Sequence, residues 1–175
     1  INIVRPRFDV RSLEAYRVQR HAALSRPETQ ELHEQFVELI LLLDKGTEQT
    51  GPDFQDSGER FGSLQGLLTF LKDTIASVLL GPPGCGKSTV LGHYERSVHE
   101  QKLCSDEPDN KLPLIVRNDL RAFPRPSNPS DQITPQEWLA DQWSKDYKHL
   151  PSLHDLLQCN SVLFLLDGLN EVPHR

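Results

Sequence analysis

The chain reads as an α/β fold, a parallel sheet flanked by helices, on three observations. Short apolar runs bounded by turn residues alternate with segments of helical spacing. A glycine-rich loop, Gly81 to Ser88, joins one such run to a helix. A further apolar run, Ser161 to Leu166, ends on an acid, Asp167. Strand, helix, strand is the order a parallel sheet needs, because parallel neighbours require a crossover between them.

Residues 9–24 have helical spacing, with Leu13, Tyr16, Ala23 and Leu24 on one side and arginines on the other, until Pro27 interrupts. The apolar run Phe36–Leu43 fits either a buried strand or the end of a helix begun near Glu28, and 46–60 reads as a polar linker. Ser63 is an N-cap candidate ahead of Leu64, Leu67, Leu68 and Leu71, and Ile75–Leu80 reads as the strand entering the glycine loop. Beyond the loop, Val90, Leu91, Tyr94 and Val98 predict a helix from Ser88 to about Lys102, and Leu112–Val116 a second strand. Prolines at 124, 126 and 129 mark a loop. Thr134-Pro135-Gln136-Glu137 then has the spacing of a capping box with proline at the first helical position, and the helix it starts turns Trp138, Leu139, Trp143 and Tyr147 inward. Ser152 caps a short helix carrying Leu153, Leu156 and Leu157, and Ser161–Leu166 is a strand expected to be buried on both faces. The division expected is a helical lead-in and linker over 1–58 and an α/β domain over 59–175.

The 175 residues suffice for a buried core, and 37% hydrophobic with 25% charged residues excludes a disordered or fibrous class. A net charge of −6 argues against nucleic acid as a partner. The three cysteines, Cys85, Cys104 and Cys159, are far apart and form no CxxC pair, which suits reduced thiols and a cytoplasmic location. No apolar run approaches the roughly 18 residues of a membrane helix. The ends, Ile1 and Arg175, carry no terminal pattern, and the chain reads as part of something longer.

The loop Gly81-Pro82-Pro83-Gly84-Cys85-Gly86-Lys87-Ser88, followed by Thr89, is a phosphate-binding P-loop. Its glycines let the backbone wrap close to phosphate oxygens, with N–H groups turned inward at the positive end of the next helix. Lys87 supplies the mobile charge, the Ser88 hydroxyl is placed to ligate magnesium, and Thr89 begins the helix. The ligand implied is ATP, or less readily GTP, with Mg2+. Such a loop needs an acid at the tip of a neighbouring strand. Asp167 meets that need as a second metal ligand, and Glu171, four residues on, is the candidate general base for an attacking water. Alone, the two acids read equally well as a turn residue and a solvated charge.

The strand followed by Asp167-Gly168-Leu169-Asn170-Glu171 resembles the extended Walker B motif of NACHT domains, in which a small residue follows the first acid and an acidic pair comes three and four places after it. The resemblance covers about residues 36–175, with Gly81–Thr89 as Walker A. It implies a P-loop NTPase of the signal-transducing class with numerous domains, a nucleotide-controlled switch in innate immunity or defence. It further implies a homo-oligomer formed through the NTPase domain, and effector or sensor domains elsewhere in the protein. In that class a strand after Walker B inserts between the P-loop strand and the Walker B strand, so the sheet over 1–175 is expected to be incomplete. One position departs from the pattern: Asn170 stands where the family has an acid, and a carboxamide takes no proton, which leaves Glu171 as sole base and implies slow turnover.

Other classes fit less well. A remodelling ATPase of the AAA+ type would carry its catalytic glutamate directly after the strand aspartate, where this chain has Gly168. A small GTPase would carry a guanine-reading Asn/Thr-Lys-x-Asp, but Asn110-Lys111 continues as Leu112-Pro113. A small-molecule kinase would need acceptor and lid segments that the sequence does not display. A binding module that holds nucleotide without turnover is the remaining alternative. His93, His99, His149 and His154 lack the spacing of a helical metal pair and read as surface residues. Cys85 lies beside Lys87 at a helix N-terminus, a setting that lowers a thiol's pKa, although inert packing is the simpler reading.

Overall fold

In the computed structural model the residues described are 10–27, 39–44, 56–71, 74–104, 113–124, 133–159 and 162–169. The chain divides into two compact units, one of Ile1–Arg26 with Glu95–Arg175 and one of Pro27–Tyr94.

The first unit is built on a parallel pair of strands, β3 (Leu114–Asp119) and β4 (Val162–Asp167), in the register Leu114↔Val162 through Asp119↔Asp167. Leu114, Ile115 and Val116 are buried, as befits an apolar β-branched run. The strand runs three residues past Val116, the end read from the sequence, because its last three residues are polar and break the apolar run without breaking the ladder. Between the two strands lie a 3-10 turn (Leu120–Ala122), α4 (Pro135–Asp146) and α5 (Leu153–Gln158). Helix α4 opens with the expected capping box. Thr134 Oγ1 accepts from Glu137 N–H at 3.2 Å, and the Glu137 carboxylate accepts from Thr134 N–H at 2.8 Å. Ser152 likewise caps α5, accepting from Asp155 N–H.

The core of this unit is Tyr16, Leu114, Val116, Trp143, Leu150 and Leu156, with Tyr147 and Phe164 packed on it. Tyr16 comes from α1 (Val10–Leu24) and donates its hydroxyl to the Ile115 carbonyl at 3.1 Å, which satisfies a backbone acceptor of β3. Trp143 donates its indole N–H to the Pro151 carbonyl at 3.0 Å.

Two readings of this unit need correction. The arginines of α1 do not all face away from the core: Arg20 reaches Glu95, whose side chain is fully buried, and Arg17 is itself partly buried. The β4 strand is not buried on both faces, since Leu166 is 44% exposed while Leu165 is buried. Among the described residues β4 has a single neighbour, β3, so one flank lacks cover.

In the second unit β1 (Leu41–Asp44) pairs antiparallel with β2 (Asp56–Phe61). Leu41–Asp44 settles the strand alternative for the end of the 36–43 run, whereas 28–38 lies outside the described residues. The second strand takes part of the stretch expected to be linker. Its sequence, Asp-Ser-Gly-Glu-Arg-Phe, carries no apolar alternation, and the strand stays largely exposed, with an Asp56–Arg60 ion pair. Ser63 caps α2 (Leu64–Phe70) by accepting from Gly66 N–H, and Leu64 and Leu67 are its buried residues. Residues 75–80 form no strand. Ile75, Val78 and Leu80 are exposed, and no described strand runs beside them to supply a ladder. An apolar run predicts what a segment would bury, but extended chain becomes a strand only through a partner. Among the described residues no helix is long and apolar enough to cross a membrane.

Candidate functional site

The P-loop lies in the second unit and leads into α3 (Lys87–Leu103), one residue earlier than the spacing predicts. The first helical bond runs from Val90 N–H to the Gly86 carbonyl at 2.9 Å, so the N–H groups of the helix's opening turn, Lys87, Ser88 and Thr89, have no acceptor within the helix. No acidic side chain sits in that turn to neutralise it. Two glycines shape the approach. Gly84 at φ +76° and Gly86 at φ +90° occupy the left-handed region that side chains avoid, and a Cβ at Gly84 would have no neighbour within 4 Å, so the loop is open there. Gly81 is needed for a different reason: a Cβ would stand 2.7 Å from Cys85 Sγ.

Lys87 is folded over its own loop. Its Nζ donates to the carbonyls of Gly81 at 2.8 Å and Pro82 at 2.9 Å, and lies 3.7 Å from Cys85 Sγ. The ammonium is thereby held at the loop by two neutral acceptors, which an anion with formal charge can outbid. An open loop, a helix N-terminus and a tethered cation together fit a phosphate group.

The strand-end acids lie in the first unit. Asp167 is the last residue of β4, opposite Asp119, the last of β3, so both acids stand at the carboxyl edge of the parallel pair. Ligands bind at that edge in open α/β sheets. One Asp167 oxygen accepts from Arg117 Nη2 at 2.6 Å, and the other from Gly168 N–H at 3.0 Å. Asp119 is engaged by Arg121 through the guanidinium and through the backbone N–H at 2.9 Å, and this pairing holds its carboxyl below the usual carboxylate range. Gly168 has φ +80°, and a Cβ there would come 3.3 Å from Asp119 Oδ1. A glycine after the aspartate is favoured twice over, by backbone conformation and by the approach of the Asp119 side chain.

Glu171 and Asn170 lie outside the described residues. Arg117, Asp119 and Arg121 escaped the sequence reading, although two charged residues two apart at the end of an otherwise apolar strand were the available signal. His99 is also placed differently from expectation. It is 1% exposed rather than on the surface, whereas His149 and His154 are exposed as expected. Cys85, Cys104 and Cys159 are free thiols. Among the described residues no three His, Cys, Asp or Glu side chains gather into a metal cluster.

No curated protein and no solved structure matches the chain. A family model, that of the NACHT domain, matches residues 75–175, more than half of the chain, and the match runs from just before the P-loop through Asp167 and Glu171. With the phosphate loop and the strand-end aspartate in place, this chain belongs to the NACHT domain family of nucleotide-binding P-loop NTPases.

Proposed function

We propose that the chain is an ATP-dependent, magnesium-dependent switch, in which nucleotide state controls assembly with further copies of the chain or the action of an attached effector, in the cytoplasm and in defence or stress signalling. The observation that carries this reading is the phosphate loop, with its two left-handed glycines directly ahead of a helix whose first residue is Lys87. A triphosphate would meet the N–H groups of Lys87, Ser88 and Thr89, and Lys87 would exchange its two loop carbonyls for phosphate oxygens. Asp167 and the Ser88 hydroxyl are hard oxygen donors of the kind magnesium takes, and the Asp167 carboxylate already faces one cation, Arg117. When bound, the metal neutralises charge on the phosphate oxygens. Glu171 is the candidate base that would hold the proton of an attacking water, with Asn170 unable to share that work. ATP is the nucleotide proposed, with GTP the less favoured alternative, since Asn110-Lys111 continues as Leu112-Pro113 and not as a guanine-reading x-Asp.

A switch is favoured over a remodelling motor by Gly168. Its positive φ strains any side chain there, and a Cβ would stand 3.3 Å from Asp119 Oδ1, which disfavours the glutamate that a motor would carry at that position. The test is Lys87→Ala, which removes the mobile cation and leaves the loop glycines in place. By calorimetry with ATP and Mg2+, affinity is expected to fall by about a hundredfold or more, from the loss of charge-assisted bonds worth roughly 1.5–3 kcal/mol each. Unchanged affinity in a variant that melts like the parent refutes the phosphate-loop assignment.

A further inference from the structure

We propose that Arg117 is a built-in counter-ion which a divalent cation must displace from Asp167, so that the metal requirement of this chain is set by β3 as well as by the strand that carries the aspartate. The inference rests on the reading of Asp167 as the metal carboxylate. Arg117 and Asp119 are two apart on β3 and share a face, and the register sets Asp119 beside Asp167 and Arg117 beside Leu165. Arg117 is therefore the diagonal neighbour of Asp167, and its long side chain spans that diagonal to bring Nη2 within 2.6 Å of Oδ2.

The pair is not a solvated surface contact. The side chains are 25% and 19% exposed, so salt screens them less than it would an exterior pair. Asp119 also feels the Arg117 charge, but both of its oxygens accept from Arg121, and the bond that Arg117 makes is to Asp167. Asp167 is thus engaged on both sides by its own chain, by the guanidinium on Oδ2 and by Gly168 N–H on Oδ1. A main-chain N–H adds no formal charge, and so does not repel a bound cation as a guanidinium does. A guanidinium within bonding distance of the same carboxylate repels a dication, so metal binding requires that this contact open. Arg117 acts through Asp167 and is a positioning residue.

The experiment measures ATP binding by calorimetry while Mg2+ is titrated, for the parent, Arg117→Gln, Arg117→Lys and Asp167→Asn. Arg117→Gln should reach half its metal-dependent gain in ATP affinity at a Mg2+ concentration at least about tenfold lower than the parent, the equivalent of one charge-assisted bond no longer broken. Its ATP affinity in excess chelator should be unchanged, and Arg117→Lys should keep the parental requirement. A second measurement needs no stable variant at position 117: in nitrogen-15 spectra of the parent, the hindered guanidinium signals of Arg117 should be lost on adding Mg2+ with ATP but kept with ATP in chelator. If Asp167→Asn leaves the magnesium dependence as it was, the metal role of Asp167 falls and this inference with it. If Asp167→Asn abolishes that dependence while Arg117→Gln keeps or raises the parental Mg2+ requirement, or the guanidinium signals persist with Mg2+ and ATP, the displacement of Arg117 alone is overturned.

Discussion

His99 sits on α3 where that helix meets α1, and it is the clearest handle on how this junction responds to pH. Its side chain is 1% exposed, and neither ring nitrogen has a hydrogen-bond partner among the described residues. From α1 it faces Arg17, Arg20, His21 and the ring of Tyr16, whose centroid lies 6.1 Å away, and from its own helix Lys102; Glu95, about one turn earlier on that helix, is itself buried. Burial first, then the charges of Arg20, Arg17, Lys102 and His21, push its pKa down from 6.5 to about 4. The folded chain consequently holds His99 neutral where the unfolded chain protonates it. Between pH 6.5 and 4 the unfolded state binds the extra proton, so stability falls as the solution is acidified through that window and is restored above it. The span is worth about 3 kcal/mol, a large share of the ~5–15 kcal/mol that holds a domain together.

The perturbation is His99→Leu, close in volume and without a titratable group. Urea unfolding at several pH values from 4 to 8 should show stability of the parent rising steeply up to about pH 6.5, and the variant should lose most of that rise. Glu100 and Asp119, whose carboxyls are held low chiefly by Arg96 and Arg121, also lose stabilisation in acid, but below their unfolded values of 4.5 and 3.8. Both are shared by parent and variant, so the difference between the two profiles isolates the imidazole. Above pH 7 the variant should match or exceed the parent, because two buried nitrogens without partners are removed. Equal slopes in the two proteins would refute the burial argument. A loss of more than about 2 kcal/mol above pH 7 would show that the imidazole makes a bond worth keeping.

Two further outcomes follow from buried charge and backbone strain. Arg20→Met should cost about 3–5 kcal/mol, because it leaves the fully buried Glu95 without its counter-ion, and adding Glu95→Gln should recover much of that; a loss under 1 kcal/mol in urea unfolding would place Glu95 in contact with water. Gly168→Ala should cost roughly 1–2 kcal/mol by the same measurement, from a positive φ compounded by the approach of Asp119 Oδ1, and a melt like the parent's would show that the turn after Asp167 relaxes freely.

What the sequence disclosed was local chemistry. The caps at Ser63, Thr134 and Ser152 and the glycines of the phosphate loop were legible because each feature is settled by residues within a few positions of it. The ends of strands were less legible. The β3 strand continues through Arg117, Asn118 and Asp119, where hydrophobicity stops but pairing does not, and Arg117 and Asp119 are the residues that flank Asp167. Polar β2 left no periodic trace. Residues 75–80 show the converse failure, an apolar run with nothing described beside it to complete a ladder. In each case hydrophobicity along the chain did not report which segments pair.

The same limit hid what α1 does, although the helix itself was legible over 9–24. The helix precedes the residues matched by the family model, yet it supplies Tyr16 to the core and closes a β3 carbonyl with that residue's hydroxyl. Four residues on, Arg20 clasps Glu95 through both carboxylate oxygens, at 2.6 and 3.2 Å. An apolar seam would hold two helices together with less desolvation, and with less restriction on how they slide. A bidentate ion pair at 0% exposure of the acid penalises any slide, because a shift of one residue strands a buried carboxylate. Helix α1 therefore fixes the register of the C-terminal half of α3, and α3 is the helix whose opening turn carries Lys87, Ser88 and Thr89. Sequence spacing shows a few arginines on a short helix; only their long-range partner, seventy-five residues away, makes them structural.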